Sequence, residues 1–590
     1  MLKILKNLRW YHYIFILFIV FFLYMQVQFD LMLPEYMGNI IKIIGEAALT
    51  GISQTEAIFD EGILMLLMTL GSVLCTVAAS YLAARVGTRA ANMTRRKLFA
   101  HIQGFSLEEI NAFSNASLIT RTTNDIQQVQ ITIILVLRLF VRAPIMAASA
   151  ILKVMQISVT LSMVVLGGIV IIFLMVTIVF LIVFRKFNLL QKQTDDLTSV
   201  TRETLTGTRV IRSHNAQHVQ EEKFEERNTA ITKTNIFVNS AMSFLNPGMT
   251  LIFSGINVAL IVVGAVLISQ NALGSTPIEG LAIQVEFISY GLMIMMSFSM
   301  LIMMFMFLPR AWVSARRIVE VLDTPFKIDD TNATDELVNE LAADVEFRNV
   351  SFKYPNADEF VIKNVSFKAS KGQTLALVGS TGSGKSTIVH LLLRFYDVTE
   401  GEILINDRNI KAYPLRDLYR MLGYVPQKGV LFSGTIRENI LIGNAKASDD
   451  DVLEALEVAQ IKHFVEENEN GLDYLIDQGG KNVSGGQKQR LSIARALVKK
   501  PNIFVFDDSF SALDYKTDKI LRQALKVYAA DALNIIVAQR IGTIMDADLI
   551  IVLDQGNIVG KGKHQELLET SKAYQEIAFA QLSKEELGYV

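Results

Sequence analysis

The 590-residue chain has a single cysteine, Cys75, so no disulfide can form within it. Cys75 sits in an apolar run and reads as filler there. Net charge is also nearly missing: 56 Lys and Arg stand against 58 Asp and Glu, a formal charge of −2. That excludes the global basic field of a nucleic-acid binder. Histidine is sparse, with seven in the chain and none between His463 and His564. Charge itself is absent from long stretches before residue 310, where Leu, Ile, Val, Phe and Met dominate. After that point the composition is that of a water-soluble protein. The length exceeds one domain by the usual size range. The division expected is 1–310, a linker at 311–344 and a second domain at 345–590.

About 20 apolar residues span a bilayer. Six segments reach that length, at 13–33, 62–83, 132–152, 157–184, 247–269 and 282–308. No small-residue cleavage site follows the first, which is expected to be a retained helix and not a signal peptide. Lys3, Lys6 and Arg9 precede the first span. Basic groups follow the second (Arg85, Arg89, Arg95, Arg96, Lys97), the fourth (Arg185, Lys186, Arg202, Arg209, Arg212) and the sixth (Arg310, Arg316, Arg317). The opposite loops carry only Lys42 and Lys153. This bias predicts a multi-pass protein of the cell membrane with both termini in the cytoplasm. The internal segments 84–131 and 185–246 mix charged and apolar residues at helical spacing. They are expected to be membrane helices continuing far into the cytoplasm.

After the acidic, polar stretch that begins LDTPFKIDD, the alternation in VEFRNVSFKY (Val345 to Tyr354) predicts a β-strand. A second apolar strand, TLALV, leads into GSTGSGKST: Gly379, Ser380, Thr381, Gly382, Ser383, Gly384, Lys385, Ser386 and Thr387. This is the P-loop pattern G-x-x-x-x-G-K-S/T. Glycines let the backbone wrap phosphate oxygens, and the N–H groups of the next helix face the anion. Lys385 is expected to reach the β- and γ-phosphates of ATP, and Ser386 to ligate Mg²⁺. Further on, IFVFDD ends a buried-type strand in Asp507 and Asp508. Asp507 is the expected partner of Ser386 on the Mg²⁺ side.

Other motifs fall in a fixed order around these two. NVSGGQKQRLSIARAL (Asn482 to Leu497) resembles the signature motif of ATP-binding-cassette (ABC) proteins. YVPQ, with Gln427, resembles their Q-loop, SALD (Ser511 to Asp514) their D-loop, AQRIGTI (Ala538 to Ile544) their H-loop, and SFKYP their A-loop. Six spans fused ahead of the cassette resemble the type I (type IV) exporters of that family. LPEYMGNII and LITRTTND (Leu118 to Asp125) are similar to patterns found there. The fold implied is a six-span α-helical transmembrane domain with long helical extensions, joined to an α/β P-loop domain. The resemblance implies that Tyr354 stacks on adenine and that Gln427 joins Ser386 and Asp507 around Mg²⁺. It also implies that Ser484, Gly485, Gly486 and Gln487 hold phosphate of an ATP bound mainly by a second subunit. Turns near Ser114–Arg121 and Ile211–Gln217 fall where the family places its coupling helices.

Two positions depart from the pattern. Asp508 stands where the family usually has its hydrolytic glutamate, and Gln539 where it has a histidine. Aspartate is one methylene shorter, and glutamine carries no titratable proton near neutral pH. A displacement of about 1 Å can cost on the order of 100-fold in rate. The signature keeps its core, with Val483 in place of the usual leucine. The pattern resembles one subunit of the heterodimeric multidrug exporters of Gram-positive bacteria: a slow site on its own P-loop, and an intact signature completing the site of a second half-transporter. The cargo expected is hydrophobic small molecules. A nucleotide-gated regulatory or channel subunit, and a homodimeric peptide or lipid exporter, are the alternative readings. Within the spans, Arg138 and Arg142 sit at i,i+4, Glu286 lies in the sixth, and Met293–Phe307 is rich in methionine, a side chain suited to varied apolar ligands.

Overall fold

The computed structural model describes residues 10–270, 272–331, 333–334, 343–355, 357–583 and 585–587, and for 187, 188 and 302–306 the backbone. The basic residues expected ahead of the first span, and Met303, Met304 and Met306 as side chains, lie outside this description. The chain forms two units: Met1–His101 with Ala116–Thr324, and Ile102–Asn115 with Pro325–Val590.

The first unit is helical. Its long elements are α1 (Trp10–Thr50), α2 (Thr55–Gln103), α4 (Asn115–Ile157), α5 (Val159–Thr206), α7 (Gln217–Ser269) and α8 (Pro277–Asp323), with the short α6 (Thr208–Ser213) between α5 and α7. The short α3 (Leu107–Phe113) belongs to the second unit. Among the described residues, six helices are long and apolar enough to cross a membrane, one for each expected span. The shortest of the first five has 41 residues, about 60 Å at ~1.5 Å per residue, twice the ~30 Å of a hydrocarbon core. Helix ends are set by local chemistry. Ser158 caps α5 by accepting from Leu161 N–H, and Thr276 caps α8 ahead of Pro277 at its first position. The composition change near 310 falls inside α8, because its last turns stay helical while becoming charged.

Large apolar side chains such as Leu17, Phe173 and Leu251 are exposed on this unit, as a lipid-facing surface requires. Its core gathers Val27 and Leu31 of α1, Met146 and Ala150 of α4, and Phe287, Tyr290 and Ile294 of α8. The Tyr290 hydroxyl is satisfied there by donating to Leu31 O (2.9 Å). Arg121 and Asp125 of LITRTTND tie the start of α4 to the end of α8. Arg121 pairs with Glu320 (2.9 Å), and Ser314 donates to Asp125 (2.6 Å).

The second unit is α/β. A four-stranded antiparallel sheet has the order β2 (Ile362–Ala369), β1 (Val345–Phe352), β4 (Glu400–Ile405), β5 (Arg408–Asn409). A six-stranded sheet has the order β12 (Asn557–Gly562), β11 (Leu549–Asp554), β3 (Thr374–Gly379), β10 (Leu533–Val537), β9 (Ile503–Asp507), β6 (Leu422–Val425). From β11 to β6 its pairings are parallel. β9 is buried along its whole length, which is why it reads as an unbroken apolar run. Alternate residues enter two cores. Val378, Phe504, Phe506 and Ile536 face one, with the helices between residues 436 and 578; Leu377, Ile503, Val505 and Val537 face the other, against the antiparallel sheet.

The segment 102–115 also belongs to this unit. Ser106 and Glu109 form a capping box on α3, Asn111 donates to the Tyr396 hydroxyl (3.1 Å), and Glu109 accepts from Lys327 N–H (2.6 Å). The turn expected near Ser114–Arg121 falls at Ser114, with φ 64°, between α3 and α4. The segment ahead of it belongs to the second unit, while Arg121 is bonded to α8. The second expected turn does form a break, with Asn215 at φ 48° between α6 and α7.

Candidate functional site

Parallel strands carry their C-terminal ends to one edge of the sheet, where ligands of such folds bind. Here β3 and β9 flank β10, with Val537 opposite both Leu377 and Asp507. That register sets the P-loop after β3, Asp507 and Asp508 at the end of β9, and Gln539 just past β10 on the same edge. Val425 of β6 pairs with Phe506, which brings Gln427 to it as well.

The P-loop runs from Gly379 to the helix α9 (Lys385–Leu392). Gly384, its N-cap, has φ 100°, and a Cβ there would lie 2.5 Å from Ile362 Cδ1. At Gly379 a Cβ would meet Leu553 O at 2.1 Å. Both positions admit only glycine. The Lys385 ammonium donates to Gly379 O (2.8 Å), Ser380 O (2.7 Å) and Ser383 Oγ (3.4 Å), so it lies curled along the loop that is to hold phosphate. Burial lowers its pKa, while Asp508 and Asp507 act the other way. Ser380 donates to Asp554 (3.4 Å). Thr387 meets the Tyr354 hydroxyl (3.0 Å), and Tyr354 packs edge-on against Phe352 and Tyr396. The A-loop is thereby tied directly to the P-loop helix.

Ser386 Oγ donates to Asp507 Oδ1 (3.0 Å). Burial pushes the Asp507 carboxyl up, against the hydrogen bond from Ser386 that holds it down. Asp508 occupies an unusual backbone position, with φ 49°, fixed by its N–H to Val537 O (3.0 Å) and by Ser511 Oγ on its carbonyl (2.9 Å). Its Oδ2 accepts from Gln427 Nε2 (3.0 Å) and from Gln539 Nε2 (2.9 Å). The two residues that depart from the family pattern are thus in direct contact, and the Q-loop glutamine shares the same oxygen. With two N–H groups on it, Oδ2 has both lone pairs in use, so a water proton would have to go to Oδ1.

Ser484 is the N-cap of α10 (Gly485–Leu497). Ser484 N–H donates to Gln487 Oε1 (2.8 Å) and Gln487 N–H to Ser484 Oγ (3.2 Å), a complete capping box. A Cβ at Gly485 would meet open space, and at Gly486 nothing nearer than 3.7 Å. These glycines are not required by the fold around them. They keep a helix N-terminus bare, which is what approach of an anion needs.

Three residues that were given no role in the sequence hold this edge together. Gln489, on α10, donates to Pro426 O (3.0 Å) and accepts from Gly429 N–H (3.0 Å), tying the signature helix to the Q-loop. Arg540 donates to Ser511 O and Leu513 O in the D-loop (3.3 and 3.5 Å). Gln581 donates to Gln539 O (2.8 Å) and accepts from Ile541 N–H (2.9 Å), a two-point clamp on the backbone that presents Gln539. Gln489 lies inside the quoted signature and had a signal in the sequence. Gln581, far along the chain from Gln539, had none.

The family description "ABC transporter transmembrane region" matches residues 16–279, and "ABC transporter" matches 362–511. The chain is 36% identical over 539 residues to an uncharacterized ABC transporter ATP-binding protein of Mycobacterium bovis, covering 91% of each. It is 36% identical over 555 residues to YfiB, an uncharacterized ABC transporter ATP-binding protein of Bacillus subtilis, covering 92% of this chain and 93% of that one. Among solved structures it resembles a bacterial Atm1-family ABC exporter with ATP bound, with TM-score 0.78, 25% identity and coverage of 94% and 96%. The chain belongs to the ABC transporter family: six membrane helices fused to an ATP-binding domain, an ATPase coupled to transport.

Proposed function

We propose that this ABC exporter chain is one half of a heterodimer that moves hydrophobic compounds out across the cell membrane, with both termini and the ATP-binding domain in the cytoplasm. Its own P-loop site binds ATP and hydrolyses it slowly. Its signature helix completes the hydrolytic site of a second half-transporter. The observation that carries this reading is the shared oxygen of Asp508. Gln427 and Gln539 both donate to Oδ2, so the shortened carboxylate is engaged by two amides where a water-activating base is needed. Ser484, Gly485, Gly486 and Gln487 retain the bare, capped helix start that a γ-phosphate requires.

Within the slow site, Lys385 and the backbone from Gly379 to Thr387 hold the phosphates, and Tyr354 stacks on adenine. Ser386 and Asp507, oxygen donors 3.0 Å apart, fit a hard cation such as Mg²⁺, with the Gln427 carbonyl oxygen as a third protein ligand. Mg²⁺ there neutralises phosphate charge. Co-expression with a second half-transporter that carries the glutamate and histidine tests the proposal. A stoichiometric complex with dye efflux and ATPase activity is expected. High drug-stimulated ATPase from this chain alone, as a homodimer, overturns it.

A further inference from the structure

The first unit contains a cavity of about 230 Å³ whose walls differ sharply. One wall is polar: Arg142 Nη2 donates to Asp30 Oδ2 (3.0 Å), and Ser72 Oγ donates to Asp30 Oδ1 (2.5 Å). The other is apolar and soft, with Met146, Met293, Met296 and Met300 among its lining. Both charged groups lie on helices apolar enough to span a membrane, where an ionisable pair is costly unless it has a task.

The backbone brings this pair together. Arg138 and Arg142 would share a face of a regular α-helix. Instead Val136–Phe140 forms a π turn, with Val141 N–H bonded to Val136 O. Pro144 comes next, and it has no N–H to give the Phe140 carbonyl four residues back, which is the local reason for the widened turn. An extra residue in a turn rotates the helix beyond it by about 100°. Arg138 is left exposed, while Arg142 is 28% exposed and paired with an Asp30 that is 15% exposed.

Donors outnumber acceptors in the remaining hydrogen-bonding capacity of this wall. Each oxygen of Asp30 accepts one bond and keeps one lone pair, whereas the Asp30 contact occupies only one of the five N–H groups of the guanidinium. Taking the exporter reading as its premise, we infer that this cavity receives the head of an amphipathic organic anion, its carboxylate, sulfonate or phosphate on Arg142 and its apolar body along the methionines. The volume is below the ~300–1,000 Å³ of pockets that enclose a drug-sized ligand. It fits a head group and the first part of a chain. Asp30 holds the guanidinium in place and competes with the ligand for it.

The test uses three probes of one length: 8-(dansylamino)octanoate, its neutral methyl amide, and the corresponding dansyl amine. Binding is read by dansyl fluorescence to the full-length chain in phosphatidylcholine nanodiscs, corrected with empty discs. The wild type is expected to prefer the carboxylate over the amide by about tenfold, as a charge-assisted contact to Arg142 implies. Arg142→Gln is expected to remove that preference while keeping amide binding. Asp30→Asn is expected to tighten carboxylate binding several-fold, because it frees the guanidinium; a merely structural ion pair would predict a loss. Equal binding of carboxylate and amide by the wild type overturns the inference, whatever the variants do. So does Asp30→Asn weakening the carboxylate as much as Arg142→Gln. Probe uptake into inside-out vesicles bearing the heterodimer distinguishes the two readings: ATP-driven movement of amide or amine without anion preference sinks only this inference, whereas no ATP-dependent movement of any of the three, above that of vesicles lacking the protein, sinks the exporter reading.

Discussion

The signature helix and the P-loop wall, both assigned to phosphate in the proposed reading, belong to one domain, but their internal order differs. At the start of α10 the polar groups satisfy one another through the Ser484–Gln487 capping box, and the glycines beyond meet open space. At the end of β9 the groups assigned to the nucleotide are cross-linked. Gln427, Gln539 and Asp508 form one hydrogen-bonded knot, and Lys385 is bonded to its own loop. The first surface is ready to receive a phosphate as it stands. The second offers binding groups but no unoccupied base at Oδ2. In the proposed reading, a chain whose signature keeps its core while Asp508 and Gln539 depart from the family pattern is suited to assist a neighbour's hydrolysis more than its own.

The sharpest break of this comparison is Gly486→Glu. In the complex with a second half-transporter it is expected to lower total ATPase activity by more than about 100-fold, as loss of a preorganised anion contact does. A Cβ at Gly486 meets nothing within 3.4 Å in this chain, so folding is expected to survive. Thermal unfolding unchanged beside lost turnover supports the reading. Retained turnover removes the signature from the hydrolytic site.

Lys385→Ala addresses the other surface. It is expected to weaken ATP binding at this chain's own site by about 10- to 100-fold, the range for a charge-assisted hydrogen bond. Photolabelling with an azido-ATP resolved by subunit measures it. Unchanged labelling of this chain would defeat the assignment of the loop.

Restoring Asp508→Glu together with Gln539→His sharpens the contrast from the opposite direction. Turnover at this site is expected to rise by about tenfold or more, since a positioned base contributes ~10²–10⁴ in favourable cases. The single changes are expected to be non-additive, because both act on one knot. Gln581 clamps residue 539 through backbone atoms, so histidine would inherit the same placement. Single-turnover assays with the second site disabled check this. A flat double variant places the limit elsewhere.

Much of this was legible in the residues because the relevant signals are local. Six apolar runs give six helices, and a P-loop needs glycines where Gly379 and Gly384 meet neighbours at close range. The run IFVFD reads as a strand buried on both faces, and it is one. What was not legible depends on distant partners or on a break in periodicity. The contact of Asp508 with Gln539 spans two strands in parallel register. Gln581 reaches the site from the far end of the chain. The i,i+4 spacing of Arg138 and Arg142 promises a shared face that the Val136–Phe140 turn undoes. The short α3 ahead of the expected turn was not read either, although its local signal is there: a capping box, Ser106 with Glu109.

Acidity separates the two surfaces more gently. Burial raises the Asp507 pKa, so on acidification it takes up a proton earlier than an exposed aspartate. On the proposed assignment, a proton there competes with Mg²⁺. The Mg²⁺ dependence of ATP binding at this chain's site is therefore expected to weaken by a few-fold between neutral and mildly acidic pH. Ser484, Gly485, Gly486 and Gln487 carry no group that titrates in that range. Equal acid sensitivity in Asp507→Asn and wild type would show that another group is responsible.

The smallest expected effect is the most diagnostic. Asp508→Asn keeps the size of the side chain and removes its charge. If Asp508 were the working base of this protein, that change would abolish ATPase activity, as loss of a general base costs ~10²–10⁴. In the asymmetric reading Oδ2 is already engaged by Gln427 and Gln539, and most turnover comes from the site that this chain completes with its signature. Total activity of the heterodimer is then expected to change by less than about threefold, within the loss of one slow site. An asparagine oxygen can still accept from both amides, so the knot and the Q-loop position survive. Steady-state ATPase measured beside Gly486→Glu gives the ranking directly. Asp508→Asn silent with Gly486→Glu dead is the asymmetric machine; both dead is a symmetric one, in which a short carboxylate does the full work of its family's glutamate, and Asp508→Asn dead with Gly486→Glu silent overturns the asymmetric reading outright.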